Sequence, residues 1–201
     1  MEIVNYFIII LLGYLIGSIP FALIIGKVFY NTDIRNSGSG NLGGTNAGRT
    51  LGKKAGLTVI ILDIAKAFIA MTIASIIISH FNMNVNPNLC GLAVVIGHCY
   101  PIFAGFKGGK GVACAAGFIL ALNPLLILIA VGLFLINLKI HHMVSLAVIN
   151  TVAIISVLAY LIPYFSNTKY VLTFLTFFLI FQHRENIKRI INHEENKISW
   201  L

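Results

Sequence analysis

Long apolar blocks alternate with three short polar islands along the chain. The blocks run at about 4–29, 55–79, 88–104, 112–136, 140–162 and 169–182. A helix that crosses a bilayer needs roughly 20 apolar residues, so the first, second and fourth blocks are spans by length alone. The third is short. Pro163 and the polar run Ser166-Asn167-Thr168 interrupt the last two. In the first block, the Gly13-x-x-x-Gly17 spacing predicts close contact with a neighbouring helix, and Pro20 predicts a kink. Glu2 stands at the start with no basic region ahead of the apolar run, so this block reads as a retained span and not a cleaved signal peptide.

The islands are 31–54 (Arg35, Arg49, Lys53, Lys54), 105–111 (Lys107, Lys110) and 183–197 (Arg184, Lys188, Arg189, Lys197), whereas segment 80–88 has no Lys or Arg. The positive-inside rule therefore puts the three islands in the cytoplasm and 80–88 and the N-terminus outside. Parity constrains the rest, because the crossings between the second and third islands must be even in number. Three apolar blocks lie there. Either one does not cross, giving five spans, or 140–162 divides into two short helices near Asn150-Thr151 or Ser156, giving seven. The expected fold is an all-α polytopic membrane protein of about seven helices, some short, with a cytoplasmic C-terminus. It forms one domain over 1–201.

Composition agrees. The sequence is 58% hydrophobic and only 10% charged, with a mean hydropathy of +0.93, values of the polytopic membrane class. Fourteen Lys and Arg against six acids leave a net charge of +8. Topology and anionic lipid account for such an excess, and so does an anionic substrate; the placement of the charges has to decide. Cys90, Cys99 and Cys114 have no metal-ligand spacing and read as small buried apolar residues. Carboxylates are few and no H-x-x-x-H or C-x-x-C cluster exists, so no metal is expected.

The first island contains Gly38-Ser39-Gly40-Asn41-Leu42-Gly43, a literal G-x-G-x-x-G. It follows a membrane span and no βαβ pattern surrounds it, so it is not a dinucleotide fingerprint. Its glycines let backbone N–H groups converge on an anion. Ser39, Asn41, Thr45 and Asn46 add neutral donors, and Arg49 adds a planar fork suited to phosphate. Taken alone, the island reads equally well as a flexible loop between spans. The second island, Lys107-Gly108-Gly109-Lys110-Gly111, directly precedes an apolar helix. The helix start and two ammoniums suit phosphate. The Walker A spacing fails, which excludes a nucleotide-hydrolysing loop. Two lysines flanking a span would explain the charge but not the glycines. In the third island, His183 and Asn186 share a helical face and Glu185 and Arg189 make a favourable i,i+4 pair; a basic interfacial helix would look the same. Asp63 and Lys66, one turn apart within the second span, are expected to pair with each other, because intramembrane ions are usually paired. His98 reads as a hydrogen-bonded packing residue. No G-x-S-x-G elbow is present.

Three stretches in order carry a family resemblance. "GSGNLGGTNAGR" resembles G-S-G-N-x-G-x-T-N-x-x-R, "GHCYPIFAGFKGGKGVA" resembles G-H-x-x-P-x-F-x-x-F-K-G-G-K-G-V-A, and "HRENIKRIINHEE" resembles H-R-x-N-I-x-R-[LI]-x-x-G-x-E. These are the motifs of the bacterial acyl-phosphate-dependent glycerol-3-phosphate acyltransferases, the PlsY family, and their order and spacing match over essentially the whole chain. Gly44 and Cys114 replace the usual alanine and threonine, and His193 replaces the glycine of the third motif. The resemblance implies transfer of an acyl group from acyl phosphate to the sn-1 hydroxyl of glycerol-3-phosphate, giving lysophosphatidic acid and phosphate. It also implies a seven-helix fold in the bacterial cytoplasmic membrane with the site on the cytoplasmic face. Ser39, Arg49, Lys110, His183 and Asn186 are the expected catalytic residues. Gly38, Gly40, Asn41, Thr45, Asn46, Lys107, Gly108, Gly109 and Gly111 are the expected substrate-binding positions. No cofactor, metal, nucleic acid or obligatory protein partner is implied beyond the two phosphate substrates and membrane lipid. A transporter for an organic phosphate would also use glycine breaks and lysines. Transporters, however, place the site near the midplane and often repeat their halves, and no internal repeat is visible here.

Overall fold

The computed structural model describes residues 2–198, and every regular element among them is helical. The chain gathers into two compact units, Met1–Ala121 and Leu122–Leu201. The first holds α1 (Glu2–Gly17), α2 (Phe21–Tyr30), α3 (Gly44–Leu51), α4 (Lys53–His80), α5 (Asn88–Cys99) and nearly all of α6 (Val112–Leu122). The second holds α7 (Pro124–His141), α8 (Val144–Leu161), α9 (Lys169–Gln182) and α10 (Arg184–Ile191). Four helical segments among the described residues are long and apolar enough to cross a membrane: Glu2–Tyr30, Lys53–His80, Pro124–His141 and Val144–Leu161. Asn88–Ala104 and Val112–Leu122 are apolar but shorter.

The first unit is built on small residues. In a bilayer the lipid tails are as apolar as leucine, so helices associate through close packing and not through a hydrophobic drive. A side chain on Gly13 would overlap the backbone of Cys90, and one on Gly17 the backbone of Val94, so α1 lies directly against α5 as the Gly-x-x-x-Gly spacing predicts. The buried residues of α4 (Ala55, Gly56, Val59, Asp63, Lys66, Ala67, Ala70, Met71, Ala74) follow each other at helical spacing and form one stripe. Its outward residues Leu57, Ile61 and Ile76 are more than half exposed, which suits a lipid-facing surface. The break between α1 and α2 falls at Ser18–Pro20. Pro20 has no N–H to continue the ladder, and its carbonyl instead accepts from Leu23 and Ile24 at 2.9 and 3.0 Å.

Four α-helices, α6 to α9, lie between the second and third islands. The extra break is not where the sequence reading put it. Asn150, Thr151 and Ser156 all lie within the continuous α8, and the block 112–136 divides instead at Asn123-Pro124. Asn123 caps α7, its Oδ1 accepting from Leu125 N–H at 3.0 Å and Leu126 N–H at 3.1 Å, and Pro124 occupies the first turn. An Asn cap followed by proline is a strong helix start. Thr151 and Ser156, by contrast, are buried in the interior of α8.

Candidate active site

In the first unit the loop 31–43 is shaped by its own polar groups. Asp33 Oδ1 accepts from Arg35 N–H at 3.1 Å, and its carboxylate receives the Arg35 guanidinium at 2.6–3.2 Å, with Lys27 Nζ 3.7 Å away. The Arg35 hydrogen bonds hold the Asp33 carboxyl well below the usual carboxylate range. Arg35 is therefore engaged with Asp33. Asn46, on the first turns of α3, is buried and reaches back into the loop. Its Oδ1 accepts from Ser39 N–H at 2.8 Å, and its Nδ2 donates to the carbonyls of Ile34 and Ser37 at 3.1 and 3.2 Å. Asn46 thus shapes the loop with both ends of its amide and is not placed to present a ligand donor. Gly38 takes a left-handed φ of 61° against Asn46, where a side chain would overlap its Oδ1. Ser39, Thr45 and Arg49 are exposed, and Asn41 is half-buried.

The glycine loop 107–111 lies on the end of α5. Gly108 N–H donates to Cys99 O, and Gly109 N–H to His98 O, both at 3.1 Å. A side chain on Gly108 would overlap the His98 carbonyl, and one on Gly109 the His98 imidazole. Gly108 and Gly109 therefore serve close backbone packing, and their N–H groups are committed inside the protein. The expectation that these amides cradle phosphate is corrected accordingly. The cationic side chains of this loop are exposed Lys107 and half-buried Lys110, and the first turn of α6 begins just beyond Gly111. The first N–H groups of a helix have no intrahelical acceptors. Leu42 N–H donates to Gly108 O at 3.3 Å, so the first and second islands are joined into one surface within this unit.

Beneath that surface lie Asp63, Lys66 and His98, all buried. Lys66 Nζ sits 2.8 Å from Asp63 Oδ1, 3.2 Å from His98 Nδ1 and 2.8 Å from the Ile19 carbonyl. The pairing of Asp63 with Lys66 is as the spacing suggested. Ligand-type atoms of Asp63, His98 and Cys114 lie within 4.8 Å of one another. The Lys66 ammonium lies beside two of them, Asp63 and His98, however, and would repel a cation. All three cysteines are free and buried.

In the second unit, His183 and Asn186 flank the junction of α9 and α10 and both are buried. His183 Nδ1 is 2.7 Å from Leu179 O. A carbonyl only accepts, so Nδ1 carries the hydrogen. Glu195 organises this junction. It accepts from Asn186 Nδ2 at 2.6 Å, Ser145 Oγ at 2.7 Å and Arg189 Nε at 2.8 Å. The expected Glu185–Arg189 pair is replaced by two others, Arg189 with Glu195 and Glu185 with Lys188 at 3.1 Å. The cause is the turn after α10. His193 adopts φ 61°, which suits glycine, and this left-handed residue turns the chain so that Glu195 returns over Arg189. Burial raises the Glu195 pKa, but the hydrogen bonds from Ser145, Asn186 and Arg189 outweigh it and hold the carboxyl below its ordinary value. A depressed folded-state pKa gives stability that is complete above the unfolded value and is lost as pH falls through the folded one. The thermal midpoint should therefore show no Glu195 contribution to change between about pH 8 and pH 5 and should decline below that, and Glu195→Gln should flatten the acid-side decline. A melting series in detergent against pH checks this.

Comparison with known proteins gives these features a family. The sequence profile described as "Glycerol-3-phosphate acyltransferase" matches residues 7–193. A glycerol-3-phosphate acyltransferase of Listeria monocytogenes is 45% identical over 205 residues, covering 98% of this chain and 99% of the relative. One from Bacillus subtilis is 46% identical over 195 residues, covering 96% and 97%. Two crystal structures of PlsY, an integral membrane glycerol 3-phosphate acyltransferase, superpose on this chain. The glycerol 3-phosphate form gives a TM-score of 0.86 at 36% identity over 96% of both chains. The lysophosphatidic acid form gives 0.84 at 35% over 96% and 95%. With its matching loops, its apolar helices and this breadth of likeness, the chain belongs to the glycerol-3-phosphate acyltransferase family of integral membrane proteins.

Proposed function

We propose that this protein transfers an acyl group from acyl phosphate to the sn-1 hydroxyl of glycerol-3-phosphate at the cytoplasmic face of a bacterial inner membrane. The observation that carries this reading is the hydrogen bond from Leu42 N–H to Gly108 O. It joins the loop bearing Ser39 and Asn41 to the loop bearing Lys107 and Lys110, so neutral donors and ammoniums share one surface suited to phosphate. The glycerol 3-phosphate and lysophosphatidic acid forms of the solved relative supply a substrate and a product of the same reaction.

Lys110 and Arg49 hold phosphate, and Ser39, Asn41 and Thr45 donate to its oxygens. His183 and Asn186 orient glycerol-3-phosphate by hydrogen bonds. The hydroxyl oxygen attacks the acyl carbonyl, the bond from that carbon to the phosphate oxygen breaks, and inorganic phosphate leaves. Acyl phosphate is already activated, so no acyl-enzyme is needed. The hydroxyl proton passes to a phosphate oxygen. A phosphate monoester has a second pKa of about 6, so its dianion accepts a proton near neutral pH.

Purified protein with acyl phosphate and labelled glycerol-3-phosphate should yield labelled lysophosphatidic acid. No product rejects the reading, and transfer from acyl-CoA alone rejects the donor. The proposed orientation has its own test. Cysteines at Lys107 and Lys188 should resist an impermeant thiol reagent in intact cells, and one at Asn84 should react. All three positions are exposed, and Lys107 is a better site than Gly108, where any side chain strikes His98. Outside labelling at 107 or 188 reverses the topology.

A further inference from the structure

We infer that His98 is a positioning residue for the phosphate-facing loop: its imidazole, braced by Lys66 and Asp63, is the floor on which Gly109 rests. The inference rests on the acyl-transfer reading above only for its kinetic arm.

The geometry is specific. His98 ends α5 in a buried position. One edge of its ring, Nδ1, meets Lys66 Nζ at 3.2 Å and Asp63 Oδ1 at 3.4 Å. The other edge, Nε2, is where a side chain on Gly109 would collide. The same residue's carbonyl accepts Gly109 N–H at 3.1 Å, so backbone and ring grip one glycine together. Lys66 also donates to Ile19 O, which fixes the brace to the bend between α1 and α2. Beyond Gly109, Gly108 O accepts from Leu42 N–H, so the ring's position is relayed to both halves of the phosphate surface.

Energetics favour a role beyond folding. A buried ion pair contributes little net stability, because desolvation offsets its Coulomb attraction. A buried pair kept directly under a glycine loop is better explained by the geometry it imposes. A ring held from behind by two charged groups cannot tilt, and Lys110 follows Gly109 immediately. A tilt of the imidazole would move the lysine's backbone away from the start of α6.

The test uses the full chain in detergent. His98→Ala leaves the Asp63–Lys66 contact in place, and His98→Asn also keeps a polar partner for Lys66, so either variant carries the comparison if the other does not fold. Each should raise KM for the phosphate substrates about tenfold, the scale of losing one positioned hydrogen bond, while kcat changes less than about threefold. The concentration of inorganic phosphate giving half-maximal thermal protection should rise by a similar factor, and the ligand-free melting temperature should change little. Gly109→Ala should also impair binding. Combined with His98→Ala, which removes the colliding ring, it should be clearly less impaired than the product of the two single effects. KM and phosphate protection within twofold of wild type in the His98 variants, a strictly multiplicative double variant, or a wild-type protein that phosphate does not protect would each overturn the inference. Wild-type protection by phosphate without transfer from acyl phosphate would instead reject the donor reading and leave this one standing.

Discussion

Lys110→Ala is expected to lower kcat/KM at least about tenfold. The lysine is half-buried between two buried glycines, one residue before the turn into α6. A hydrogen bond to a charged group contributes about 1.5–3 kcal/mol, which is roughly 10- to 150-fold in rate. The loss should exceed that of Lys107→Ala, because Lys107 is exposed and its charge is screened by water and salt. Lys110→Arg should recover only part of the activity. A guanidinium is a planar fork with fixed directions, while an ammonium is a compact point charge with three rotatable donors, and the loop has no spare volume on the side of His98. Steady-state kinetics of the three variants check the order. Near-normal activity of Lys110→Ala would remove this residue from the phosphate site.

The second large effect concerns His183. Replacement by Gln or Asn is expected to reduce kcat at least about tenfold, the scale of losing one positioned hydrogen bond, while the acid limb of the pH–rate profile stays in place. Nδ1 is tied to Leu179 O, and in the proposed reaction the ring orients a substrate hydroxyl by a hydrogen bond. A hydrogen bond of that kind can hold a hydroxyl without removing its proton. If the substrate's phosphate takes the proton, the acid limb belongs to phosphate and survives a side chain that cannot titrate. Disappearance of the limb with normal substrate binding would make His183 the general base.

Sequence and structure agree best where one local signal governs. Gly13 and Gly17 predicted the contact with α5, Pro20 the break before α2, and the Asp63–Lys66 spacing an ion pair, because each depends on steric size, a missing N–H or helical geometry. The division of the fourth block was also legible in principle. Asn123-Pro124 is a cap signal embedded in apolar residues, and hydropathy alone reads through it, whereas polar Asn150 and Ser156 attract notice although a helix carries them easily. The candidate residues stood out in the sequence, but the partners each would take did not. Glycines at 108 and 109 look the same in sequence whether they free amides for an anion or make room for an imidazole. Only the position of His98, ten residues earlier, separates the two. Asn46 likewise reads as a donor until its partners in the loop are known. Glu195 lay beyond local inference because its pairing depends on the left-handed turn at His193, a conformation that sequence assigns to glycine.

The two helices that bracket the glycine loop are short. With 12 and 11 residues, α5 and α6 rise about 18 and 16 Å, against a hydrocarbon slab of about 30 Å. Either the bilayer thins around them or the loop between them lies below the headgroups. Both cases bring the lysines nearer to the level where fatty chains end. A donor with a long hydrocarbon tail then need not be lifted from the leaflet to react. Extraction would cost about 0.8 kcal/mol for every methylene exposed, so a sixteen-carbon tail left in place spares roughly 12 kcal/mol. In the proposed reaction the water-soluble acceptor would have to meet it below the headgroups, through an aqueous dimple. Bilayer thickness thereby becomes a control on turnover, and reconstitution into lipids of graded chain length should reveal an optimum where the dimple is deep enough to admit the polyol yet shallow enough to stay wet.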